Sequence, residues 1–444
     1  MKAILLNGSQ ENDNSGERVR AALEAELKSR GWDVEHIVLC DKKIGNCAGD
    51  FFCWIRTPGV CNVDDDNRVI AAAIIASDLM VYLTPITFGG YSSALKRMVD
   101  HQIQNISPFF AQVEGETHHQ KRYEKHPDLL VVGWMDAPDA QSEVVFRHLA
   151  QRNALNYYAE KSASEVVLAS QSDEEILVSV QNWLNDLKKD GSSQRVELPT
   201  QGNPSTALGA GSGNGPVEMR RALLLVGSPK TRKSTSNSLG EYLFERLSAQ
   251  SIQTETIYLH IVLRSPAKMQ VLLDAVNAAD LVTLAFPLYV DSLPAPVIEA
   301  LERIAAHQQG RDPSRRQLFT AISNCGFPEA HHNANALAIC EVFARQAGFE
   351  WAGGLALGGG EMVAGEPLTQ GGGKTILIRK ALDLAAEALA LGKAIPNAAQ
   401  DILGKPIIPH WTYRLSGVLR WNMQAKGYGA QKLLKRQPYL VKAK

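Results

Sequence analysis

The sequence has few cysteines, almost no net charge and no long apolar run, and each shortage excludes a class of protein. Its 444 residues contain six cysteines, too few for a disulfide scaffold, and carry a formal net charge of -1. A balanced charge argues against a nucleic-acid or acidic-membrane partner. No apolar run approaches the ~20 residues of a membrane span, and no export signal is recognisable. We therefore expect a cytoplasmic protein with no transmembrane segment and no nucleic-acid partner.

What the sequence does contain is a repeated alternation of apolar strands and amphipathic helices. The strand segments are unbroken apolar runs, such as 79–83 and 129–132, which is typical of a parallel sheet covered on both faces. Five strand–helix units fit residues 3–188 and five more fit 221–392. Each half is therefore predicted to be a doubly wound α/β sheet.

Changes in composition predict the domain boundaries. We predict a first domain at 1–190, a Gly/Ser/Pro-rich linker at 191–217, a second domain at 218–393 and a basic, aromatic C-terminal tail at 394–444. The tail is expected to form a docked C-terminal helix. The alternatives are that it lies at a subunit interface or on an acidic membrane.

The loop after the first strand of each half has the pattern of an anion site. Residues 6–15 (LNGSQENDNS) and 225–236 (LVGSPKTRKSTS) both leave an apolar strand through Gly-Ser and start a helix with small hydroxyl or amide side chains. A helix N-terminus offers N–H donors and a partial positive charge to a phosphate. The second loop is basic, whereas the first contains Glu11 and Asp13, which oppose an anion.

The spacing of the repeated landmarks locates an insertion in the first half. Gly8 and Gly227 are 219 positions apart, whereas Pro85 and Pro287 are 202 apart, so the first half carries 17 extra residues. They follow the second strand, at about 40–65. Four cysteines lie in or beside them: Cys40, Cys47, Cys53 and Cys61.

Two further loops are predicted to border the same crevice, because ligands of open α/β sheets bind beyond the carboxyl ends of the strands. The loops at 84–93 and 286–294 follow the third strands, and those at 133–136 and 323–329 follow the fourth. They supply glycines that allow close backbone approach and aromatic rings that can lie against a flat ligand. A slot with an anion site at one end and an aromatic remainder suits FMN.

With these motifs in both halves, the sequence resembles the flavodoxin-like NAD(P)H-dependent FMN reductase family, as a tandem pair over about 1–190 and 219–393. The resemblance implies two five-stranded parallel sheets of order 2-1-3-4-5, FMN as the cofactor and NAD(P)H as the co-substrate. It implies that the first loops bind the FMN phosphate through Ser9, Asn14, Ser15, Ser228, Lys230, Ser234, Thr235 and Ser236. It implies that the other loops border the flavin ring through Pro85, Ile86, Thr87, Phe88, Gly89, Gly90, Pro287, Leu288, Tyr289, Val290, Asp291, Asn324, Cys325 and Gly326. No dedicated catalytic side chain is expected, because the cofactor carries the hydride chemistry.

The cysteine segment is similar to the cluster-binding segment of iron–sulfur flavoproteins, which has Cys-x2-Cys-x2-Cys and a fourth Cys a few residues on. Cys47, Cys53 and Cys61 match this pattern, and Asp50 takes the remaining position. Clusters generally need four thiolates, so we expect no metal and a structural loop near the flavin. Zinc held by the three cysteines and Asp50 is the alternative.

The resemblance implies an FMN-dependent oxidoreductase that passes electrons from NAD(P)H to a quinone, a flavin or another small acceptor. The alternatives are a flavin electron-transfer protein, or a tandem in which one domain is a non-catalytic dimerisation partner. The fused pair is expected to imitate a homodimer within one chain or to form a homo-oligomer. Both first loops are expected to bind FMN, and the basic second copy more strongly.

Overall fold

The structure is a computed structural model that describes residues 1–187, 196–198, 219–309 and 315–440. The chain divides into two compact units, which we call unit 1 (Met1–Glu197 with Trp411–Lys444) and unit 2 (Leu198–His410). The linker predicted at 191–217 lies outside the described residues, except for 196–198.

Strands and helices alternate along both halves. The strands are β1 Lys2–Asn7, β2 Asp33–Val38, β3 Leu79–Pro85, β4 Ile106–Val113, β5 Glu116–Lys121, β6 Asp128–Met135, β7 Ser162–Leu168, β8 Arg221–Val226, β9 Gln253–Tyr258, β10 Leu281–Pro287, β11 Leu318–Asn324 and β12 Glu350–Leu357. The helices are α1 Asn14–Ser29, α2 Phe52–Ile55, α3 Asp66–Ile75, α4 Ser93–His101, α5 Ala140–Asn156, α6 Asp173–Asp186, α7 Thr235–Ser248, α8 Leu259–Val262, α9 Pro266–Ala278, α10 Ala295–Gln308, α11 Ala334–Gln346, α12 Ile376–Ala390, α13 Asn397–Leu403 and α14 His410–Gly427. Within the described chain, none of these helices combines the length and the apolar character that crossing a membrane requires.

Each unit contains one five-stranded parallel sheet. The strand order is β2-β1-β3-β6-β7 in unit 1 and β9-β8-β10-β11-β12 in unit 2. Counted within each parallel sheet, both orders are 2-1-3-4-5, so the predicted fold class is confirmed. The first six residues of β3 and of β10 are buried, because helices cover both faces of the sheet. This arrangement places the strand-end loops of each unit along one edge of its sheet.

An antiparallel hairpin of β4 and β5 extends unit 1 and is absent from the sequence-based prediction. Its turn is Glu114-Gly115, with φ of 50° and 89°. Two central residues with positive φ form the type I′ turn that suits the twist of two antiparallel strands. From the sequence alone, the adjacent residues His118 and His119 are expected in a loop or at the start of a helix; this expectation is wrong, because both lie in β5. A single Gly in a polar stretch was too weak a turn signal to reveal the hairpin.

The C-terminal tail is docked on unit 1. The Trp421 ring of α14 lies 5.4 Å from the Phe51 ring and 5.4 Å from the Trp54 ring. Beyond the helix, the buried Arg122 guanidinium donates to the carbonyl oxygens of Leu434 and Arg436, at 3.1 and 2.8 Å. The tail thus covers the cysteine insertion of its own unit, as expected for a docked helix.

Candidate functional site

In each unit, three loops meet at the carboxyl edge of the sheet. In unit 2, the Gly227 N–H donates to the Ala285 carbonyl at 2.8 Å, which joins the first loop to β10. The Leu288 N–H donates to the Asn324 carbonyl at 2.8 Å, which joins the second loop to the third. The equivalent bonds of unit 1 run from Gly8 to Leu83 and from Ile86 to Trp134. The predicted loops therefore converge in both copies.

Asn324 ties the three loops of unit 2 together. Its Nδ2 donates to Ser236 Oγ of the first loop at 2.8 Å and to the Phe286 carbonyl beside the second loop at 3.0 Å. The Asn324 side chain is buried, and so is that of Ser236. These bonds hold the first turn of α7 against the ends of β10 and β11.

The N-terminus of α7 has the features of an anion site. Ser234 is the N-cap, and its Oγ accepts from the Asn237 N–H at 3.1 Å while donating to the Thr231 carbonyl at 2.6 Å. The cap is therefore neutral. The first-turn N–H groups of a helix have no acceptor within the helix, and the dipole favours an anion there. Residues 227–236 add three cationic side chains and no acidic one: Lys230, Arg232 and Lys233.

The N-terminus of α1, the equivalent position in unit 1, differs in charge and in shape. The N-cap is Asp13, whose Oδ1 accepts from the Gly16 N–H at 2.9 Å. Its Oδ2 accepts from Trp134 Nε1 at 2.9 Å. A Cβ at Gly16 would lie 2.3 Å from Ser9 Oγ and 2.7 Å from Trp134 Cζ2, so the indole rests on the first turn of α1. A carboxylate and a buried indole thus surround the helix terminus in unit 1.

The second loop forms the same tight turn in both units. Tyr289 and Ser292 exchange backbone hydrogen bonds of 2.9 and 3.1 Å, and the two residues between them have φ of 50° and 54°. In unit 1, Thr87 and Gly90 pair in the same way. Because the same turn occurs in both units, the two second loops share one backbone conformation at the edge of the crevice.

The first and second loops of unit 2 each contain a β-branched residue in a strained backbone conformation. Among the described residues, the two β-branched residues with positive φ are Thr231 (47°) and Val290 (50°), one in the first loop and one in the second. A β-branched residue disfavours this region, and such strain persists where the surrounding structure imposes it, often at functional sites. In unit 1 the second-loop turn consists of Phe88 and Gly89, and both are buried.

The third loop of unit 2 contains a buried thiol that is not a nucleophile. Cys325 Sγ lies 3.3 Å from the Phe327 carbonyl and accepts from Asn333 Nδ2 at 3.3 Å. Burial raises the pKa of the Cys325 thiol to about 12, so it stays protonated at neutral pH. Its contribution to a ligand site is therefore through position and backbone rather than reactivity.

Sequence reasoning missed three features of the site. Trp134 closes the unit 1 crevice, although a bulky residue at the end of β6 was a visible signal. Asp13 is a helix cap, which the sequence shows as an acidic residue just before a helix. His332 lies between two carboxylates beside the second loop of unit 2, with its Nδ1 3.9 Å from Asp291 and its Nε2 3.6 Å from Glu329. Asp291 lies 41 positions and Glu329 lies 3 positions before His332 in the sequence, and this spacing does not indicate that the three side chains are grouped.

Comparison with known proteins agrees with this geometry. A family model described as "NADPH-dependent FMN reductase" matches residues 1–150 and 220–341. An iron-sulfur flavoprotein of Methanocaldococcus jannaschii is 34% identical over 101 residues, which are 22% of this chain and 51% of that protein. An iron-sulfur flavoprotein of Archaeoglobus fulgidus is 25% identical over 103 residues, which are 23% of this chain and 46% of that protein. The chain thus spans about half the length of the curated relatives it matches.

Two solved structures are similar to part of the chain. An NAD(P)H:quinone oxidoreductase from Methanothermobacter marburgensis has a TM-score of 0.31 and 17% identity, with 39% of this chain and 96% of that chain covered. An FMN-dependent NADH-azoreductase from Bacillus anthracis has a TM-score of 0.30 and 14% identity, with 38% and 100% covered.

The family model covers more than half of the chain, in two segments that each contain the first four strands of one doubly wound sheet. The chain therefore belongs to the NADPH-dependent FMN reductase family of oxidoreductases, whose cofactor is FMN and whose co-substrate is NAD(P)H, and it carries two copies of the family's fold.

Proposed function

We propose that this chain is an NAD(P)H-dependent oxidoreductase that binds one FMN, in unit 2, and passes electrons to a quinone, a flavin or another small acceptor. The observation that carries the proposal is the contrast between the two helix termini. The α7 terminus combines a neutral cap with three cationic side chains, whereas the α1 terminus is capped by a carboxylate and covered by an indole.

The residues of unit 2 suit the parts of FMN. Five first-loop residues would hold the phosphate: Ser228, Lys230, Ser234, Thr235 and Ser236. The turn from Pro287 to Asp291 would border the ring, with 324–326 at its other side. Bound FMN supplies the hydride-accepting chemistry, and the protein supplies orientation and backbone N–H groups. The buried Ser292 Oγ has no hydrogen-bond partner within the described chain, and a ligand at this turn can satisfy it.

In unit 1, the same positions are poorly suited to FMN. A phosphate at the α1 terminus would face the Asp13 carboxylate, and a like charge about 5 Å away costs roughly 3 kcal/mol at an effective dielectric of 20. Trp134 would also have to leave its place over Gly16. The phosphate role expected for Ser9, Asn14 and Ser15 is therefore not part of this proposal. The difference between the α1 and α7 termini favours the hypothesis that one domain of the tandem, that of unit 1, is non-catalytic.

Exchanging the two helix caps tests the proposal. Ser234→Asp keeps a good N-cap but places the carboxylate of unit 1 at the α7 terminus. We expect the variant to fold and to bind FMN about 100-fold more weakly or worse, because of the charge repulsion given above. The matched change Asp13→Ser in unit 1 should leave the affinity of the existing site unchanged. Equilibrium dialysis and flavin absorbance measure affinity and stoichiometry, and far-UV circular dichroism checks folding.

The number of FMN molecules bound by the wild type and by the two variants distinguishes one flavin site from two. One FMN per wild-type chain, lost in Ser234→Asp and retained in Asp13→Ser, supports the proposal. Two FMN per chain, or loss of flavin in Asp13→Ser alone, contradicts it. Stopped-flow reduction of the bound flavin by NADPH and NADH, followed by reoxidation with a quinone or free flavin, tests the electron path.

The iron–sulfur cluster that the names of the curated relatives mention is not part of the proposal. The fourth thiolate position holds Asp50, and clusters of this type are held by four cysteines. Asp50 is exposed, and its carboxylate accepts from the Phe52 N–H at 3.0 Å at the start of α2. The residues present do not fit a four-cysteine cluster.

A further inference from the structure

Three cysteines and one histidine line a single cavity in the insertion of unit 1. The cavity is bordered by Cys47, Cys53, Cys61 and His101, with Asp50 at its edge. Cys53, Cys61 and His101 are buried, and Cys47 is half-buried. The histidine comes from the last turn of α4, 40 positions after Cys61, so the grouping is produced by the fold rather than by a local motif.

Hydrogen bonding fixes the tautomer of His101. Its Nε2 lies 2.8 Å from the Gly45 carbonyl oxygen, which can only accept, so Nε2 carries the proton. In the neutral ring, Nδ1 is then unprotonated, and it lies 3.6 Å from Cys61 Sγ. Metal-binding histidines usually donate a hydrogen bond from the ring nitrogen that does not bind the metal, often to a backbone carbonyl, and this bond orients the ring.

The separation between Cys61 and His101 suits two ligands of one tetrahedral ion. With a metal–sulfur distance of about 2.3 Å and a metal–nitrogen distance of about 2.05 Å, a tetrahedral angle places the two ligand atoms about 3.6 Å apart. In a four-iron cluster each cysteine binds a different iron, and neighbouring ligand atoms lie much further apart. The 3.6 Å separation is that of a hydrogen bond between the thiol and Nδ1, and it also suits two ligands of a single ion better than two ligands of a cluster.

The other two thiols are held where they can complete the site. Cys53 lies on α2, which is anchored by a 2.8 Å bond from Trp54 Nε1 to the Ile103 carbonyl. Cys47 lies in the irregular segment before it. Among the described residues, no three of these four ligand atoms lie within 4.8 Å of one another, and Cys61 Sγ and His101 Nδ1 are the close pair. Binding an ion therefore requires the Cys47 and Cys53 side chains to move toward that pair.

The surroundings supply the complementary charge. A divalent ion with three thiolates and a neutral imidazole carries a net charge of about -1. Arg122 is buried, interacts electrostatically with Cys53, and has no partner for its Nη2 within the described residues. Arg122 donates only to backbone carbonyl oxygens, so its buried positive charge has no carboxylate partner among its hydrogen bonds, and a nearby anion would stabilise it.

We infer that Cys47, Cys53, Cys61 and His101 bind one tetrahedral divalent metal ion, zinc by its preference for this ligand set. Four protein ligands leave no open position, so the site is structural and fastens the insertion to α4 beneath the C-terminal tail. The inference is independent of the flavin site, since all four ligands belong to unit 1.

Cobalt titration of the full-length, chelator-treated protein tests the site. We expect one equivalent of Co(II) with the visible bands of tetrahedral thiolate coordination, displaced by zinc. Cys61→Ser and His101→Ala should weaken binding about 100-fold or more, since even outer-shell changes cost 10–100-fold. Cys40→Ser, an exposed cysteine outside the cavity, and Asp50→Asn should bind as the wild type does.

X-ray absorption of the zinc-loaded wild type provides a second readout if a ligand variant fails to fold. Three sulfurs and one nitrogen are expected around the ion. The inference is overturned by oxygen-dominated coordination, by iron with acid-labile sulfide, by loss of metal in Asp50→Asn but not in His101→Ala, or by a folded wild type that binds no metal. FMN binding measured on the same samples reports on unit 2 separately.

Discussion

At the scale of single residues, Asp13 and Trp134 account for the difference between two otherwise similar loops. The carboxylate of Asp13 satisfies both a helix N–H and the indole N–H of Trp134. Because the indole lies on the first turn of α1, position 16 must be glycine. The corresponding position of unit 2 is Asn237, whose side chain donates to the Arg232 carbonyl and accepts from the Tyr258 hydroxyl. In unit 1 the position at 16 is packed against an indole, whereas in unit 2 the equivalent position at 237 is polar and hydrogen-bonded.

Gly16→Ala tests this packing. The added Cβ would lie 2.3 Å from Ser9 Oγ and 2.7 Å from the Trp134 ring, so the loop or the indole must shift. We expect the free energy of unfolding to fall by about 1–3 kcal/mol, the usual cost of overpacking. Urea denaturation followed by tryptophan fluorescence measures it. Gly427→Ala is the control, since a Cβ there meets nothing within 4 Å. Equal effects of the two changes would contradict the packing described.

At the scale of elements, the tail helix α14 is held to unit 1 by one face. Trp421 is buried against Phe51 and Trp54 of the insertion, whereas Trp411, ten residues earlier on the same helix, is 66% exposed. A Cβ at Gly417 would lie 2.3 Å from the Phe110 ring, so the helix also packs closely on β4. Aromatic burial of this kind is a main source of docking energy for the face of α14 that contacts unit 1.

Trp421→Ala is expected to release the tail from the insertion. Truncating a buried Trp costs about 3–5 kcal/mol, and much of that loss should appear as local undocking. Trypsin cleavage at Arg420, Lys426 and Lys432 should then accelerate at least about 10-fold, because proteolysis follows the population of the open form. Trp411→Ala changes the same residue type on the same helix and should leave the cleavage rate unchanged. Faster cleavage in both variants would show that docking does not depend on the Trp421 contacts.

At the scale of the whole molecule, the chain contains two copies of one fold that differ in their additions and in the charge of their first loops. Unit 1 has the cysteine insertion, the β4–β5 hairpin and the docked tail, and a carboxylate caps the N-terminus of its α1. Unit 2 has a basic first loop and positive-φ residues in its first and second loops. Under the proposed function, one copy carries the redox cofactor and the other carries structural additions.

Hydrogen exchange across the whole chain tests this division without any substitution. Adding FMN to flavin-free protein should slow amide exchange in 227–236 and 287–292, because bound ligand satisfies and rigidifies those backbone groups. Residues 8–15 should exchange at the same rate with and without FMN. Protection of 8–15 equal to that of 227–236 would show that both copies bind the cofactor. Mass spectrometry of peptides from the intact protein measures both regions in one experiment.

The fold could be read from the sequence because its determinants are local. Apolar runs, turn residues and helix caps act over a few positions, and the apolar runs at 79–83 and 129–132, predicted as strands, lie within β3 and β6. The duplicated landmarks predicted the converging loops, and the family resemblance that they carry implied the strand order; the structure has both. The β4–β5 hairpin was not predictable, since its turn residues are weakly diagnostic and its strands mix apolar and polar side chains without a regular period.

By itself, the sequence determined that this chain is a tandem of two doubly wound sheets in which three loops converge at the carboxyl edge of each sheet. Only the tertiary structure decided how the copies differ. Asp13 meets Trp134 across 121 positions, and Cys61 meets His101 across 40. The physical reason is the same in both cases: charge repulsion at a helix terminus and coordination of a metal depend on distances of a few ångströms between side chains that only folding brings together.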